Sequence, residues 1–277
     1  MAYGEMKFVF FGTSEFGAII LGKLIQAGIP PDFVVSTPDR PAGRGYAIRS
    51  SPVKIVAQKH GIIVRENLEG SKPDLIVLAA YGKILPKDIL DIPKKGALNV
   101  HPSLLPKYRG PSPVQATILQ GEKTTGVSII LMDEEIDHGP IVANSKFQIP
   151  NSKIVYPELH DKLAEIGADL FIKTIPEWIE GKIEPKPQDH AKATFTKKIS
   201  KEDGRIDWTK PAEYIERQVR AFYPWPSAFT FWKGKRIKIL KAHVEQRTLI
   251  IDELQLEGKK PTTLQDFLLG HKDFTLP

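Results

Sequence analysis

Residues 7–28, which read KFVFFGTSEFGAIILGKLIQAG, decide the fold prediction. The stretch starts with an almost wholly apolar run over Lys7–Phe11, which is typical of a strand buried on both faces of a parallel sheet. After the turn residues Gly12–Ser14, apolar side chains recur at helical spacing until Gly28, a residue type that commonly ends a helix. A buried strand leading directly into an amphipathic helix is the opening unit of an α/β fold.

Strand-like and helix-like segments keep alternating beyond this first unit. Ser51 followed by Pro52 predicts the start of a second helix, after an unusually long Pro- and Gly-rich loop over residues 38–50. The alternation predicts a Rossmann-like α/β sheet with parallel character. The further β-type runs are Phe33–Thr37, Ile62–Val64, Leu75–Ala79, Ala97–Val100, Val127–Met132 and Ile141–Phe147, and a long amphipathic helix follows with Leu159, Leu163, Ile166, Leu170 and Ile175 on one face.

The chain changes character after residues 181–190, GKIEPKPQDH, a polar stretch with two prolines that is typical of a linker. We therefore expect a main α/β domain over residues 1–190, a linker over 191–205 and a small, mostly β domain over 206–277. The pattern of this last domain is a helix over residues 211–222, followed by β-type runs at Ala228–Trp232, Arg236–Val244 and Leu249–Leu256.

Charge is divided unevenly between these parts. Residues 1–190 hold 22 basic and 22 acidic side chains and residues 191–277 hold 17 and 11, so the whole net charge of +6 lies in the last third. The chain has no cysteine, which excludes a disulfide framework, a cysteine-ligated zinc site and a thiol nucleophile. No apolar run approaches the roughly 18 residues of a membrane span. No signal peptide is recognisable, so we expect a cytoplasmic protein.

The glycines near the N-terminus do not fit a dinucleotide site. GTSEFG, residues 12–17, stands where a Rossmann fingerprint would stand, but it lacks the G-x-G-x-x-G spacing. No carboxylate clearly ends the second strand to hold a ribose. We therefore favour a tight turn over NAD binding at this position.

Residues 98–110, LNVHPSLLPKYRG, carry the most informative pattern. Residues two apart on a strand share a face, so Asn99 and His101 are predicted to point the same way. Pro102 ends the strand and places His101 at its tip, at the sheet edge where α/β folds bind ligands.

A second loop supplies a carboxylate. DEEIDHGP, residues 133–140, follows the run Val127–Met132 and offers Asp137 to hold an imidazole. An isolated Asn, His or Asp is more often structural than catalytic, so the prediction rests on the combination of Asn99, His101 and Asp137.

The two stretches resemble the 10-formyltetrahydrofolate-dependent formyltransferases through N-x-H-x-S-L-L-P-x-x-R-G and D-E-x-x-D-x-G-P. Other segments resemble the methionyl-tRNA formyltransferases within that superfamily, and the resemblance runs from about Lys7 to Gly270. These segments are PDRPAGRG (38–45), SPVK (51–54), AYGKILP (80–86), RIDW (205–208) and RAFYPWP (220–226).

The resemblance implies transfer of a formyl group from 10-formyltetrahydrofolate, as co-substrate, to the amino group of methionyl-initiator tRNA for translation initiation, with no metal. It implies that Asn99 hydrogen-bonds the oxyanion formed when the amine attacks the formyl carbon. His101 would assist there and help to move the proton, while Asp137 would orient the imidazole and join the proton relay. Such a transfer needs oxyanion stabilisation, a proton route and close positioning.

The resemblance also places the folate beside these three residues. Its binding loop would be SLLP, residues 103–106, and its pocket would be walled by residues 81–85 and 132–137. For the two leucines of the loop, core packing stays open as the alternative role. The candidate folate contacts are Ser103, Leu104, Leu105, Pro106, Tyr81, Gly82, Ile84 and Leu85.

A partner RNA is implied by the same resemblance. It predicts tRNA contacts from residues 38–50, with Arg44 as the leading candidate, and from an OB-like C-terminal domain that carries the charge surplus. A flexible surface loop and solvated lysines are the alternative interpretations. The candidate contacts are Arg40, Arg44, Arg49, Lys197, Lys198 and Arg236.

Two features depart from the family pattern. Only a short link stands between Val64 and Pro73, where another helix is expected, and VEQRT, residues 244–248, joins two strands directly where the family has an intervening β region. We therefore expect a shortened OB-like domain of about three strands and a helix, in a monomeric protein.

Two other functions stay open. A sugar-nucleotide N-formyltransferase would use the same folate donor, although the PDRPAGRG loop and the basic tail argue against it. An RNA-binding protein on an inactive enzyme scaffold is disfavoured by the intact Asn99, His101 and Asp137.

Overall fold

The computed structural model describes residues 6–42, 47–150 and 153–275, and the chain folds into two compact units. In the part of the chain so described, no helix is long and apolar enough to cross a membrane. The first unit comprises Met1–Pro111, Thr124–Gln148 and His160–Phe195, and the second comprises Ser112–Lys123, Ile149–Leu159 and Thr196–Pro277.

Helices and strands alternate through the first two thirds of the chain. The helices are α1 (Glu15–Gln26), α2 (Pro52–Lys59), α3 (Lys87–Leu90), α4 (Pro113–Leu119), α5 (Tyr156–Ile179), α6 (Ala212–Ala221) and α7 (Leu264–Gly270). The strands are β1 (Phe8–Gly12), β2 (Phe33–Val35), β3 (Arg40–Ala42), β4 (Ala47–Arg49), β5 (Val64–Arg65), β6 (Leu75–Ala79), β7 (Ala97–His101), β8 (Thr124–Leu131), β9 (Ile141–Gln148), β10 (Ala228–Trp232), β11 (Lys235–Glu245), β12 (Thr248–Leu256) and β13 (Thr262–Thr263).

The first unit is built on a seven-stranded sheet in the order β5-β2-β1-β6-β7-β8-β9. The five strands from β5 to β7 are parallel, which confirms the predicted Rossmann-like character. β8 and β9 instead run antiparallel to their neighbours: β8 follows β7 after a connection that contains α4, and β9 follows β8 through a loop without a helix. Every residue of β1, β6 and β7 is buried, and this burial explains the continuous apolar runs of β1 and β6.

The turn after β1 is shaped by close packing against β6. The backbone N–H groups of Thr13 and Ser14 donate to the carbonyl oxygen of Ala80 at 3.2 and 3.4 Å. A Cβ on Gly17 would lie 2.6 Å from the carbonyl oxygen of Ala79, so only glycine lets α1 come this close to β6. These contacts support the interpretation of GTSEFG as a tight turn.

The predicted helix start at Ser51 is confirmed. The Ser51 hydroxyl accepts a hydrogen bond from the Lys54 backbone N–H at 3.1 Å, and Pro52 is the first residue of α2. The preceding residues 38–50 include a short hairpin, β3 with β4, where a plain loop was expected. Strands of three residues, one of which contains a proline, are too short to show a period-two pattern.

The second unit carries a four-stranded antiparallel sheet in the order β10-β11-β12-β13. The sheet and α6 share an apolar core that includes Ile215, Val219, Ala228, Ile237 and Leu254. The sequence predicts three strands and one helix for this region. The structure adds β13, which has two residues, and α7, which has seven, and both are too short to show a clear hydrophobic period.

Both departures from the family pattern are present. β11 and β12 are joined by Gln246 and Arg247, whose φ angles of 46° and 66° fit a tight hairpin turn. The described residues between β5 and β6 contain no helix. The boundaries expected at residues 190 and 205 stay predictions.

Candidate active site

Two buried polar side chains, Asn99 and His101, lie on β7 in the middle of the apolar sheet of the first unit. Their spacing of two residues places both on one face. Val100 points the other way, toward α5, since a Cβ on Gly167 would lie 2.8 Å from Val100 Cγ1. The face opposite α5 is therefore the one that offers polar chemistry.

Asp137 reaches this face by an indirect route. β8 pairs antiparallel with β7, with Leu131 opposite Leu98, so β8 ends beside the start of β7. The loop of residues 133–140 must therefore fold back across the sheet to approach the tip of β7. Asp137 adopts a left-handed φ of 49° within this loop.

The Asp137 carboxylate joins the two predicted partners on β7. Its Oδ1 accepts a hydrogen bond from Asn99 Nδ2 at 3.1 Å. Its Oδ2 lies 3.5 Å from His101 Nδ1 and accepts a hydrogen bond from the Gly110 backbone N–H at 2.7 Å. The structure thus brings Asn99, His101 and Asp137 together.

The imidazole of His101 faces an acceptor at each ring nitrogen. Nε2 lies 3.0 Å from the carbonyl oxygen of Tyr108, and Nδ1 faces the Asp137 carboxylate. A neutral imidazole can donate from only one nitrogen, whereas an imidazolium donates from both. Each ring nitrogen of His101 therefore points at a protein acceptor atom.

The SLLP loop follows β7 and is held to β8 by one buried hydroxyl. Ser128 Oγ donates to the carbonyl oxygen of Ser103 at 2.8 Å and accepts from the Leu105 N–H at 3.1 Å. Ser103 is buried, and its own hydroxyl donates to the Lys107 carbonyl oxygen at 2.6 Å. Leu105, followed by a cis bond to Pro106, is also buried.

The leucines of this loop pack inward in part. Leu104 is half-buried and lies against Gly126, where a Cβ would come within 2.6 Å of Leu104 Cδ2. The loop itself starts two residues after His101, the last residue of β7. The roles of its side chains toward folate stay predictions.

Residues 81–85, the second segment predicted to contact folate, lie near β1 and β6. Tyr81 is buried with its ring edge-on to Phe11 at 5.1 Å, and burial raises the pKa of its phenol. Leu85 joins the same apolar cluster, against which Met132 also packs. Gly82 and Ile84 are exposed. Tyr81 and Leu85 thus belong to the cluster against which Met132, the residue before the Asp137 loop, packs.

The candidate tRNA contacts divide between the two units. In the first unit Arg40 and Arg49 are opposite each other in the β3–β4 hairpin, whereas Arg44 lies outside the described residues. The one acidic residue of this loop, Asp39, is paired with Lys54 at 2.8 Å, which lowers the pKa of the carboxyl.

In the second unit, Lys197 and Lys198 are exposed, and Lys197 forms an ion pair with Asp203. Arg236 stacks over the Phe229 ring at 3.6 Å and donates from Nη2 to the Pro226 carbonyl oxygen at 3.3 Å. Lys197 and Lys198 thus lie at the surface and Arg236 is half-buried, and the roles of all three toward RNA stay predictions.

Sequence reasoning missed several groups around Asp137. Gly110 and Tyr108 make these contacts through backbone atoms, which cannot be predicted from the residue type. Both lie within residues 98–110. Gln188 was assigned to a linker, yet it is buried and bonded to the Asp137 loop. Among the described residues, no group of three or more His, Asp or Glu side chains could hold a metal ion.

Comparison with known proteins identifies the family. Residues 6–175 match the family model described as formyl transferase, and residues 198–248 match the model described as formyl transferase, C-terminal domain. The first match alone spans more than half of the chain. The chain belongs to the formyl transferase family.

Curated relatives show which members of the formyl transferase family the chain is similar to. The chain is 46% identical over 250 residues to the methionyl-tRNA formyltransferase of Chloroflexus aurantiacus, which covers 86% of this chain and 80% of the relative. It is 40% identical to the methionyl-tRNA formyltransferase of Halalkalibacterium halodurans, over 96% of this chain and 95% of the relative. The protein is thus a formyltransferase, as its sequence pattern predicts.

Solved structures share the fold of this formyltransferase. The methionyl-tRNA formyltransferase from Clostridium thermocellum superposes with a TM-score of 0.60 at 19% identity, covering 91% of this chain and 98% of that one. An N-formyltransferase from Helicobacter canadensis gives a TM-score of 0.69 at 20% identity, covering 91% and 95%. At these identities the likeness concerns the fold alone.

Proposed function

We propose that the protein transfers the formyl group of 10-formyltetrahydrofolate to the amino group of methionyl-initiator tRNA. The observation that carries the proposal is the Asp137 carboxylate held between Asn99 and His101 in a formyl transferase chain. A cytoplasmic location and a monomeric state belong to the same proposal.

The reaction balances without an oxidant or a metal. The lone pair of the methionyl nitrogen forms a bond to the formyl carbon, and the carbonyl electrons move onto oxygen to give a tetrahedral oxyanion. The oxyanion then reforms the carbonyl as the bond between that carbon and N10 breaks. The attacking nitrogen loses one proton and N10 gains one, so the products are formylmethionyl-tRNA and tetrahydrofolate.

Each of the three side chains has a separate role in this reaction. One Nδ2 hydrogen of Asn99 is donated to Asp137, and the second is left to donate to the oxyanion. His101 would accept, at Nε2, the proton that the nitrogen loses and pass it toward N10, while its Nδ1 faces the Asp137 carboxylate. Asp137 fixes the orientation of both partners.

The choice of tRNA as acceptor rests on the names of the relatives and on charge. Curated relatives that are 40–46% identical are named methionyl-tRNA formyltransferase. The net charge of +6 lies wholly in residues 191–277, and basic surfaces bind phosphate backbones. Arg40, Arg44 and Arg49 would contact the acceptor end, and Lys197, Lys198 and Arg236 the body of the tRNA.

Pocket residues for the folate donor follow from the position of the site. Tyr81, Leu85 and the SLLP loop, residues 103–106, flank the polar face of β7. Since several of these side chains are buried, the donor would be bound largely through the backbone groups of the two loops.

The test is a formyl-transfer assay with a radiolabelled formyl donor. The purified protein is offered methionyl-initiator tRNA, methionyl-elongator tRNA and an amino-sugar nucleotide. We expect rapid labelling of the initiator tRNA only. Labelling of the amino-sugar nucleotide in place of tRNA would instead establish a sugar-nucleotide N-formyltransferase. The absence of transfer to any of these amines would contradict the proposed activity.

A further inference from the structure

Residues 186–195, which the sequence assigns to linker segments, are bonded to both loops of the active site. Lys186 exchanges two backbone hydrogen bonds with Ile141, directly after the Asp137 loop, at 2.7 and 2.8 Å. Thr194 accepts a hydrogen bond from the Arg109 N–H at 2.8 Å on the other side of the site. All of these residues belong to the first unit.

The side chain of Gln188 is the centre of this segment. It is 5% exposed, and its Nε2 donates to the carbonyl oxygens of Asp137 at 2.9 Å and Gly139 at 2.7 Å. Asp137 has a φ of 49°, a conformation that residues other than glycine rarely adopt and that the surroundings must stabilise. Gln188 fastens the loop at Asp137 itself and two residues beyond it.

Arg109 fixes the orientation of the Gln188 amide. Its buried guanidinium donates from Nε at 3.2 Å and from Nη2 at 2.8 Å to Gln188 Oε1, and Nη2 lies 2.9 Å from His190 Nδ1. Arginine can only donate and a carbonyl oxygen can only accept, so only one orientation of the Gln188 amide satisfies all four bonds.

The same network reaches the carboxylate end of Asp137. Gly110, the residue after Arg109, donates its N–H to Asp137 Oδ2 at 2.7 Å. Asp137 is thus held through its main chain by Gln188 and through its carboxylate by the backbone next to Arg109. Both contacts bear on the distance from the carboxylate to His101, which is 3.5 Å.

We propose that Gln188 is a positioning residue for formyl transfer: anchored by Arg109, it holds the left-handed Asp137 loop so that the carboxylate sits between Asn99 and His101. The inference rests on the proposed function in one respect, the role of Asp137 as the partner of His101. Gln188 itself does not contact the reacting atoms.

Replacing Gln188 by alanine removes both hydrogen bonds to the loop and the two that Arg109 donates to Gln188 Oε1. Misplacing a catalytic group by about 1 Å costs about 10²-fold in rate. For Gln188→Ala we therefore expect kcat to fall about 10²-fold, with the KM values for donor and acceptor largely unchanged. In an Asp137→Ala background the same substitution should lower kcat no further, because Gln188 acts through Asp137.

A matched control separates positioning from a general loss of stability. Gln218 on α6 is also buried and donates from Nε2 to two backbone carbonyl oxygens, those of Asp203 at 3.0 Å and Arg205 at 3.2 Å. Gln218→Ala should lower the melting temperature and retain kcat. Gln188→Glu keeps the size of the side chain but sets a carboxylate against two carbonyl oxygens, so it should lower kcat and carries the test if the alanine variant does not fold.

Two results would overturn the inference. One is a folded Gln188 variant with the kcat of the unchanged protein; the other is a Gln188→Ala effect that persists at full size in the Asp137→Ala background. The proposed function fails separately, when the unchanged protein formylates a different amine. The Gln188 variants are then compared with that amine as acceptor, and the comparison still tests whether Gln188 positions Asp137.

Discussion

At the scale of single residues, one carboxylate organises the candidate site. Asp137 accepts hydrogen bonds from the Asn99 side chain and the Gly110 backbone and faces His101, so its four lone-pair positions are largely occupied. A carboxylate with this many donors is held in one rotamer. This rigidity lets it orient two neighbours whose own positions are fixed by the buried strand β7.

Asn99→Ala tests the oxyanion role. Removal of one oxyanion donor commonly lowers turnover by about 10²–10³-fold, and we expect a loss of kcat of that size. Donor binding, measured by calorimetry, should be retained, because the proposed contact forms with the transition state. An Asn99→Ala variant that binds donor and turns over normally would remove Asn99 from the mechanism.

Asp203, in the second unit, gives a prediction about pH. Hydrogen bonds from Lys197 and then Ser200 lower the pKa of Asp203 from 3.8 to about 2. A carboxyl with a lowered pKa in the folded state adds stability that is complete above the unfolded pKa and is lost as the pH falls through 3.8 toward 2. Because Lys197 is exposed, solvent screening leaves about 1 kcal/mol at neutral pH.

The measurement for Asp203 is urea unfolding of the unchanged protein and of Asp203→Asn at a series of pH values. The difference in the free energy of unfolding should be constant from pH 7 to about 5 and shrink below about pH 4. A difference that does not change with pH would show that the Asp203 charge is not what stabilises the fold.

At the scale of elements, the direction of β8 decides how the site is built. β8 runs antiparallel to β7, so the loop of residues 133–140 returns over the sheet and brings Asp137 to Asn99 and His101. The apolar pattern of this strand is visible in the sequence, but a period of two is the same for either direction. The contact that makes the site therefore depends on pairing between strands.

β8 also anchors the SLLP loop, which gives a test of this element. Ser128 is fully buried, and Ser128→Ala leaves the Ser103 carbonyl oxygen and the Leu105 N–H without their partner. We expect a loss of about 2 kcal/mol in the free energy of unfolding, measured in urea. Ser145→Ala on the neighbouring β9 is the control, and it should cost less than about 0.5 kcal/mol. Equal losses would show that the Ser128 bonds do not hold the loop.

At the scale of the whole molecule, the candidate catalytic residues and the excess positive charge lie in different parts of the chain. The candidate catalytic residues lie in the first unit, whereas the net charge of +6 lies in residues 191–277, most of which belong to the second unit. The four-stranded sheet itself holds four basic and three acidic residues, so most of the excess charge lies in the rest of this region. Since any RNA contact made there is electrostatic, it should respond to salt in a way that the catalytic step does not.

The prediction at this scale concerns binding as a function of salt. The logarithm of the tRNA association constant should fall linearly with the logarithm of salt concentration, while folate binding should change little. Lys198→Ala and Arg236→Ala should each reduce the slope by about 1 if the side chain contacts a phosphate. A salt-independent tRNA affinity would contradict the assignment of RNA to this surface.

Local patterns in the sequence predict the parallel α/β core, the helix start at Ser51 and the three candidate catalytic residues. Buried parallel strands need continuous apolar runs, a helix start needs a capping hydroxyl, and the catalytic stretch keeps Asn99 and His101 two residues apart. The return of the Asp137 loop, the backbone donors and acceptors around it, and the burial of Gln188 are seen only in the tertiary structure. These features depend on strand pairing and on main-chain atoms common to every residue, so no side-chain pattern records them.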